Sequence, residues 1–409
     1  MNRTLTATFL AVAYLPLTSI VCAQPAPQDW LGTEYGPYRT GTVSGVWTDQ
    51  NREELTTSYD GDKRRVMFQA WFPIRENQAG QPARYVEDSS LFQSWVHDWL
   101  QDRDILDLQT RSLKNVPVMP FTEPFPVLLY SHGANSPIFT GTAQTEFLAS
   151  HGYFVISVGH TDDGAMTRFS DGTRYQPDEH PEMPDDPDVM NRSQEEIYNW
   201  QKENLQDMYD WHVRDLSFAL DQLEVLNRSS GSLFYARIDM NRVGAFGWSR
   251  GGATSLQATL DDSRIKAAAN LDGSMNGRPV EFAGSTRPLL LMESTESLFD
   301  LIGDSESDPE ELSASMESDL WRMFRLSTGA WYRAIINNSV HDQFSDFALS
   351  SPVTPQGAAG SLRIRDITNA VLLEFFDHHL KNEQTLPLLS GESSFQELQV
   401  IREIPQSLD

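Results

Sequence analysis

The stretch RVGAFGWSRGGATSLQA, residues 242–258, decides the fold. It begins as an apolar run and ends with helical spacing at Ala253, Leu256 and Leu260 just beyond. Between the two lies Gly247-Trp248-Ser249-Arg250-Gly251. A turn from strand into helix this sharp needs almost no side chain two residues before and two after the serine, and glycine stands at both places. In such a strand–turn–helix setting, G-x-S-x-G lifts the serine Oγ beyond the carboxyl edge of a sheet. The helix N-terminus there favours developing negative charge. Ser249 is therefore a candidate nucleophile; the competing reading is a tight turn carrying an inert serine.

Working outward, the same alternation recurs. PVLLYSHG (126–133), YFVISVGH (153–160), IKAAANLD (265–272), PLLLME (288–293) and WYRAIINN (331–338) read as buried strands. TAQTEFLASHG (142–152), LQDMYDWHVRDLSFALDQLEVLN (205–227), GGATSLQATL (251–260) and RDITNAVLLEFFDHHLKN (365–382) read as helices. On the second helix Leu216, Ala219, Leu220, Leu223 and Leu226 share one face. Apolar strands without polar alternation are buried on both faces, so the pattern predicts a mostly parallel sheet covered by helices on both sides. GPYRTGTVSGVWTD (36–49) and RRVMFQAWFPI (64–74) predict two further strands forming an antiparallel N-terminal edge. This is the layout of an α/β-hydrolase fold. It is expected as a single domain over 36–409, with insertions near 76–120 and 161–193.

The N-terminus, MNRTLTATFLAVAYLPLTSIVCAQ, has one early positive charge, an apolar stretch too short to span a bilayer, and small residues at Val21 and Ala23. It is expected to be a signal peptide ending at Ala23, followed by an exposed leader (24–35). The expected localisation is extracellular or periplasmic. The one cysteine, Cys22, lies in that segment, so the mature chain would hold no disulfide and no thiolate chemistry. The net charge of −27 repels nucleic acid and anionic membranes, and no later segment is long and apolar enough for membrane insertion. The acidic runs HTDDG and MPDDPDVMN lack the register of a calcium loop, so neither a metal nor a cofactor is expected.

A serine hydroxyl needs a base beside it. In this fold the chain order is serine, acid, histidine. Only His341, His378 and His379 lie beyond Ser249. The last two fall inside a helix, whereas His341 follows a strand at a loop entry and is the candidate base. Two acids lie at strand ends between them, Asp272 and Glu293. The commonest α/β hydrolases favour the later one, while Asp272 has the shorter side chain at a break followed by glycine; the residues leave both open. Asp342 and Asp346 are too close in sequence to His341 and suit capping or surface roles. An oxyanion requires two backbone N–H groups. Arg250 would supply one, and Ala134 in SHGAN the other, with Gly133 allowing close approach and His132 orienting the loop.

SHGANSPIFTGTAQTEFLASHGYFVISVGHTD, RVGAFGWSRGGATS, AAANLDGSMNG and VHDQFSDF together resemble the platelet-activating factor acetylhydrolase family, plasma and type II group. The resemblance implies a calcium-independent serine esterase acting on short or oxidised acyl chains of lipids. It implies Asp272 as the acid, with Ser249, His341 and the Ala134 and Arg250 amides in the roles given above. The family often carries His before and Phe after the nucleophile; Trp248 and Arg250 stand here. Gly-Trp-Ser before small residues is also similar to secreted polyester hydrolases and cutinases, in which the tryptophan borders an open aromatic cleft. That makes Trp248 a candidate substrate contact. The partner expected is a small-molecule or lipid ester. A different class, a hydrolase-fold protein that only binds, is opposed by the presence of candidates for all three roles.

Overall fold

Along the strand Phe125–Ser131 (β5), Val127 and Leu129 enter one buried cluster while Leu128 and Tyr130 enter another. Successive strand residues face opposite sides, so a strand apolar at every position is the product of a sheet covered twice. The computed structural model describes residues 35–54, 61–86, 108–161, 169, 194–275, 277–278, 284–296, 309–347 and 357–404. The expected signal peptide, all but the last residue of the leader, the middle of the insertion expected near 76–120 and nearly all of that expected at 161–193 lie outside these residues.

The remaining strands are β1 (Arg39–Glu53), β2 (Lys63–Ile74), β3 (Pro82–Arg84), β4 (Gln109–Lys114), β6 (Phe154–Val158), β7 (Ile238–Trp248), β8 (Ile265–Leu271), β9 (Leu289–Glu296), β10 (Trp331–Val340) and β11 (Leu398–Ile401). Among the described residues they form one sheet in the order β11-β10-β9-β8-β7-β5-β6-β2-β1-β4-β3. The run from β6 through β5, β7, β8 and β9 to β10 is parallel. β1 and β2 pair antiparallel, as expected, but they are not the edge. β4 lies parallel to β1, and β3 closes that side. Residues 82–84 and 109–114, inside the insertion expected near 76–120, therefore belong to the sheet.

Among the described residues there are six helices: α1 (Thr142–Ser150), α2 (Gln194–Asn204), α3 (Gln206–Arg228), α4 (Arg250–Asp261), α5 (Pro309–Leu326) and α6 (Gly357–Lys381). Phe147 and Leu148 of α1 and Val371, Phe375 and Phe376 of α6 pack on one side. Leu216, Leu220 and Leu223 of α3 pack on the other, with Leu226 only partly buried at the margin. Each fully buried leucine there contributes about 2–3 kcal/mol. On α5, Trp321 and Phe324 are buried against Trp331, whose ring stacks on Phe324 at 4.1 Å, so this aromatic segment is core. No helix among the described residues is long and apolar enough to cross a membrane.

The parallel order reverses at β5, which has β6 on one side and β7 on the other. Loops leaving the carboxyl ends of strands diverge at such a point and open a crevice. The segments after β5, β7, β8 and β10 hold the residues singled out by the sequence.

Candidate active site

Ser249 lies between β7 and α4 with φ 56° and ψ −126°. A residue with a Cβ is strained in that conformation. The neighbouring chain enforces it. The Ser249 N–H donates to the Leu271 carbonyl at 2.9 Å, and the Ser249 carbonyl accepts from Gly252 at 2.9 Å and Ala253 at 3.3 Å. The end of β5 crosses directly beneath. A Cβ on Gly251 would overlap the carbonyl of Ser131, and one on Gly247 would overlap the backbone of Gly251. Both glycines are thus demanded by close backbone approach.

Asp272 follows β8 and has φ 54°. Its N–H donates to the Met292 carbonyl at 2.8 Å. Its carboxylate accepts the Ser294 N–H at 2.7 Å on Oδ1 and the Ser294 hydroxyl at 2.8 Å on Oδ2. Asn270 ties the turn beyond, accepting from Gly273 N–H at 2.7 Å and donating to its carbonyl at 3.1 Å.

His341 opens a single 3₁₀ turn, His341–Phe344, directly after β10. Gln343 holds that turn by accepting the Val340 N–H at 3.0 Å. His341 Nδ1 lies 2.8 Å from Asp272 Oδ2. An ionised carboxylate only accepts, so Nδ1 carries the proton and Nε2 offers a lone pair. About a third of the imidazole, 32 %, remains exposed. Burial alone would push the Asp272 carboxyl up, but the His341 hydrogen bond and charge, with Ser294, outweigh it and hold it below the usual carboxylate range. Burial likewise disfavours protonated His341, and the Asp272 hydrogen bond and charge override that and raise it.

Glu293, the other candidate acid, gives both oxygens to Arg333, at 2.9 and 2.8 Å. Asp346 caps α1, accepting the N–H groups of Thr142 at 2.7 Å and Ala143 at 3.2 Å, together with the Tyr85 hydroxyl at 3.0 Å. His378 and His379 lie on α6, where His378 Nδ1 is 2.6 Å from the Glu383 carbonyl.

The loop after β5 packs against the serine. A Cβ on Gly133 would stand 2.5 Å from the Trp248 ring and 3.3 Å from the Ser249 Cβ. Ala134 is half-buried, and among the described residues no acceptor takes its N–H. Arg250 opens α4, where backbone N–H groups point out of the helix terminus. Trp248, the candidate substrate contact, packs inward beside the serine turn. Trp248 is 5 % exposed, its indole N–H donates to the His341 carbonyl at 2.9 Å, and its ring lies 5.0 Å from His341 and 5.6 Å from Phe347. Gly133 lets the β5 loop close over the indole, which braces the segments after β5, β7 and β10.

Ser294, Asn270 and Gln343 were missed by the sequence reading. No signal in the sequence marks Ser294: the β8–β9 register, which aligns Leu271 with Met292 and so sets Asp272 beside the residues that follow, exists only in the folded sheet.

A family model for platelet-activating factor acetylhydrolase, isoform II, matches residues 31–387. The chain is 28 % identical over 228 residues to a probable 1-alkyl-2-acetylglycerophosphocholine esterase of Arthroderma benhamiae, covering 54 % of this chain and 49 % of that one. It is 26 % identical over 285 residues to a platelet-activating factor acetylhydrolase of Canis lupus familiaris, covering 63 % and 58 %. The chain thus spans about half the length of these relatives. A solved ferulic acid esterase from Streptomyces cinnamoneus superposes with a TM-score of 0.64 at 23 % identity, over 92 % of this chain and all of the other, and shows the shared α/β-hydrolase fold. With the family match running through all the strands that carry the candidate site, the chain belongs to the platelet-activating factor acetylhydrolase, isoform II, family.

Proposed function

We propose that the protein is a secreted serine esterase that hydrolyses carboxylic esters through Ser249, His341 and Asp272. The observation that carries this reading is the 2.8 Å bond from His341 Nδ1 to Asp272, which leaves a basic Nε2 on a ring packed beside the residue preceding Ser249. In the proposed cycle, Nε2 takes the Ser249 proton as Oγ bonds to the ester carbonyl carbon. The Ala134 and Arg250 amides receive the oxyanion. The C–O bond to the alcohol then breaks, and the imidazolium returns its proton to the departing alkoxide. Water enters, gives a proton to Nε2 and attacks the acyl carbon; collapse releases the acid and restores the serine hydroxyl. Calcium has no part in these steps.

The names of the curated relatives, an alkylacetylglycerophosphocholine esterase and a platelet-activating factor acetylhydrolase, favour an acetyl or other short acyl ester of a glycerophospholipid as substrate. The polyester reading rests on the Gly-Trp-Ser likeness, and the 5 % exposure of Trp248 gives it no open aromatic cleft at that residue. The test is labelling by a fluorophosphonate, followed by turnover of nitrophenyl esters of increasing acyl length beside a short-acyl phospholipid. Wild-type protein should label at Ser249 within minutes and prefer short chains. Ser249→Ala should lose labelling and ~10⁵–10⁶ of turnover. Turnover that survives in Ser249→Ala would overturn the assignment.

A further inference from the structure

Beneath the candidate site lies a second serine–histidine–aspartate chain that no substrate can reach. Ser131 Oγ is 2.9 Å from His160 Nε2, and His160 Nδ1 is 3.1 Å from Asp215 Oδ2. Ser131 and Asp215 are fully buried and His160 is 1 % exposed. Asp215 is held in turn by Arg64, at 3.1 Å through Nε and 2.5 Å through Nη2, and Arg64 also pairs with Glu54 at 3.1 Å. Thr161, the residue after His160, donates to Glu54 at 3.1 Å.

The hydrogen bonds in this network have only one consistent direction. The Asp215 carboxylate is an acceptor, so His160 Nδ1 carries the proton and Nε2 accepts from the Ser131 hydroxyl. The His160 backbone N–H donates to His132 Nε2 at 3.0 Å. His132 must then carry its proton on Nδ1, which donates to the Gly133 carbonyl at 2.8 Å. A peptide unit is planar and trans, so its C=O and N–H point in opposite directions. With the Gly133 carbonyl fixed towards His132, the N–H of Ala134 is turned away from the buried network. Ser136 adds a second N–H to the same carbonyl at 3.2 Å.

We infer that Ser131, His132, His160 and Asp215 are positioning residues that set the orientation of the Gly133–Ala134 peptide. The inference rests on the esterase reading, in which Ala134 N–H receives the oxyanion. Two features support a geometric role. First, buried ionic networks of this kind often give no more stability than apolar side chains of equal volume. Second, the His160 link keeps one tautomer at neutral pH. Burial and the His212 ring stacked 4.1 Å away push His160 down to about 3, so its ring is uncharged there and Nε2 stays an acceptor. The backbone of Ser131 also lies against Gly251, so the network seats the end of β5 under the serine turn.

The test compares substitutions that keep different halves of the imidazole. In His132→Asn the side-chain amide falls near Nδ1 and can still donate to Gly133. In His132→Gln it falls near Nε2, and the Gly133 bond is lost. Acylation by p-nitrophenyl acetate is measured per site titrated with a fluorophosphonate, alongside melting temperature. His132→Gln is expected to acylate ~10²-fold more slowly, the loss typical of one missing oxyanion donor, with half-saturation changed less than twofold. His132→Asn is expected to stay within about tenfold of wild type. A purely structural role would lower the melting temperature or the number of titratable sites in both without separating their rates per site. Equal rates in the two variants would therefore overturn the inference. Should either variant fail to fold, Ser131→Ala takes its place and is expected to slow acylation about tenfold; an unchanged rate there overturns the inference too. A wild-type protein that neither labels nor acylates overturns the esterase reading itself.

Discussion

Ser294 donates both its backbone N–H and its hydroxyl to the Asp272 carboxylate, at 2.7 and 2.8 Å. Each oxygen is fixed before His341 binds, so the imidazole meets a carboxylate that cannot rotate. Ser294→Ala removes one of the two bonds, worth about 1.5–3 kcal/mol to a charged acceptor. The expected result is roughly tenfold lower kcat on a short nitrophenyl ester with KM unchanged, read by steady-state kinetics.

Asp272 and Glu293 sit one strand apart and face different partners. Asp272→Asn should lower kcat by up to ~10⁴, because an amide stabilises the wrong imidazole tautomer. Glu293→Gln should leave kcat within a few-fold and instead lower the melting temperature, since Arg333 loses a bidentate charged partner, although Glu317 remains 2.9 Å from it. A silent Asp272→Asn beside an inactive Glu293→Gln would reverse the assignment.

The proposed cycle needs neutral His341. Asp272 raises the pKa of His341 above the ordinary 6.5, so activity is lost as pH falls through a value above that. Asp272→Asn removes the raising influence. Its residual activity should show an acid limb displaced to lower pH, measured as a pH–kcat/KM profile on both proteins.

Asp346 sets a second pH dependence, on stability. Burial pushes its carboxyl up to about 7, against the opposing hydrogen bonds from Tyr85, Ala143 and Thr142 and the charge of Arg365. A folded-state pKa above the unfolded one means that the folded protein holds the extra proton. The stability contributed is complete below pH ~4 and is lost as pH rises through 7. Asp346→Asn retains an acceptor for the α1 N-terminus but does not titrate. Its urea-unfolding free energy should fall less than that of wild type between pH 5 and pH 8.

Much of this was legible because it is local. Gly247 and Gly251 announce the serine turn, since a backbone crossing at contact distance tolerates no Cβ. Unbroken apolar runs announce a doubly covered parallel sheet, since burial on both faces removes polar alternation. Family resemblance was legible for the same reason, carried by short motifs at strand ends. The β3 and β4 strands were not, because three and six residues beside a polar insertion carry too little periodicity to read.

The sequence by itself determined the layered fold, the family and a short roster of polar residues at the carboxyl ends of strands. Only the tertiary structure decided which of them meet. Strand register set Asp272 beside Ser294 and within reach of His341, while Arg333 took both oxygens of Glu293. Loop closure over Gly133 buried the tryptophan read as a candidate substrate contact, and chain crossings joined Ser131 to His160 and Asp215. The physical reason is that hydrogen bonding and burial depend on distance in space, whereas spacing along the chain fixes only neighbours within a few residues.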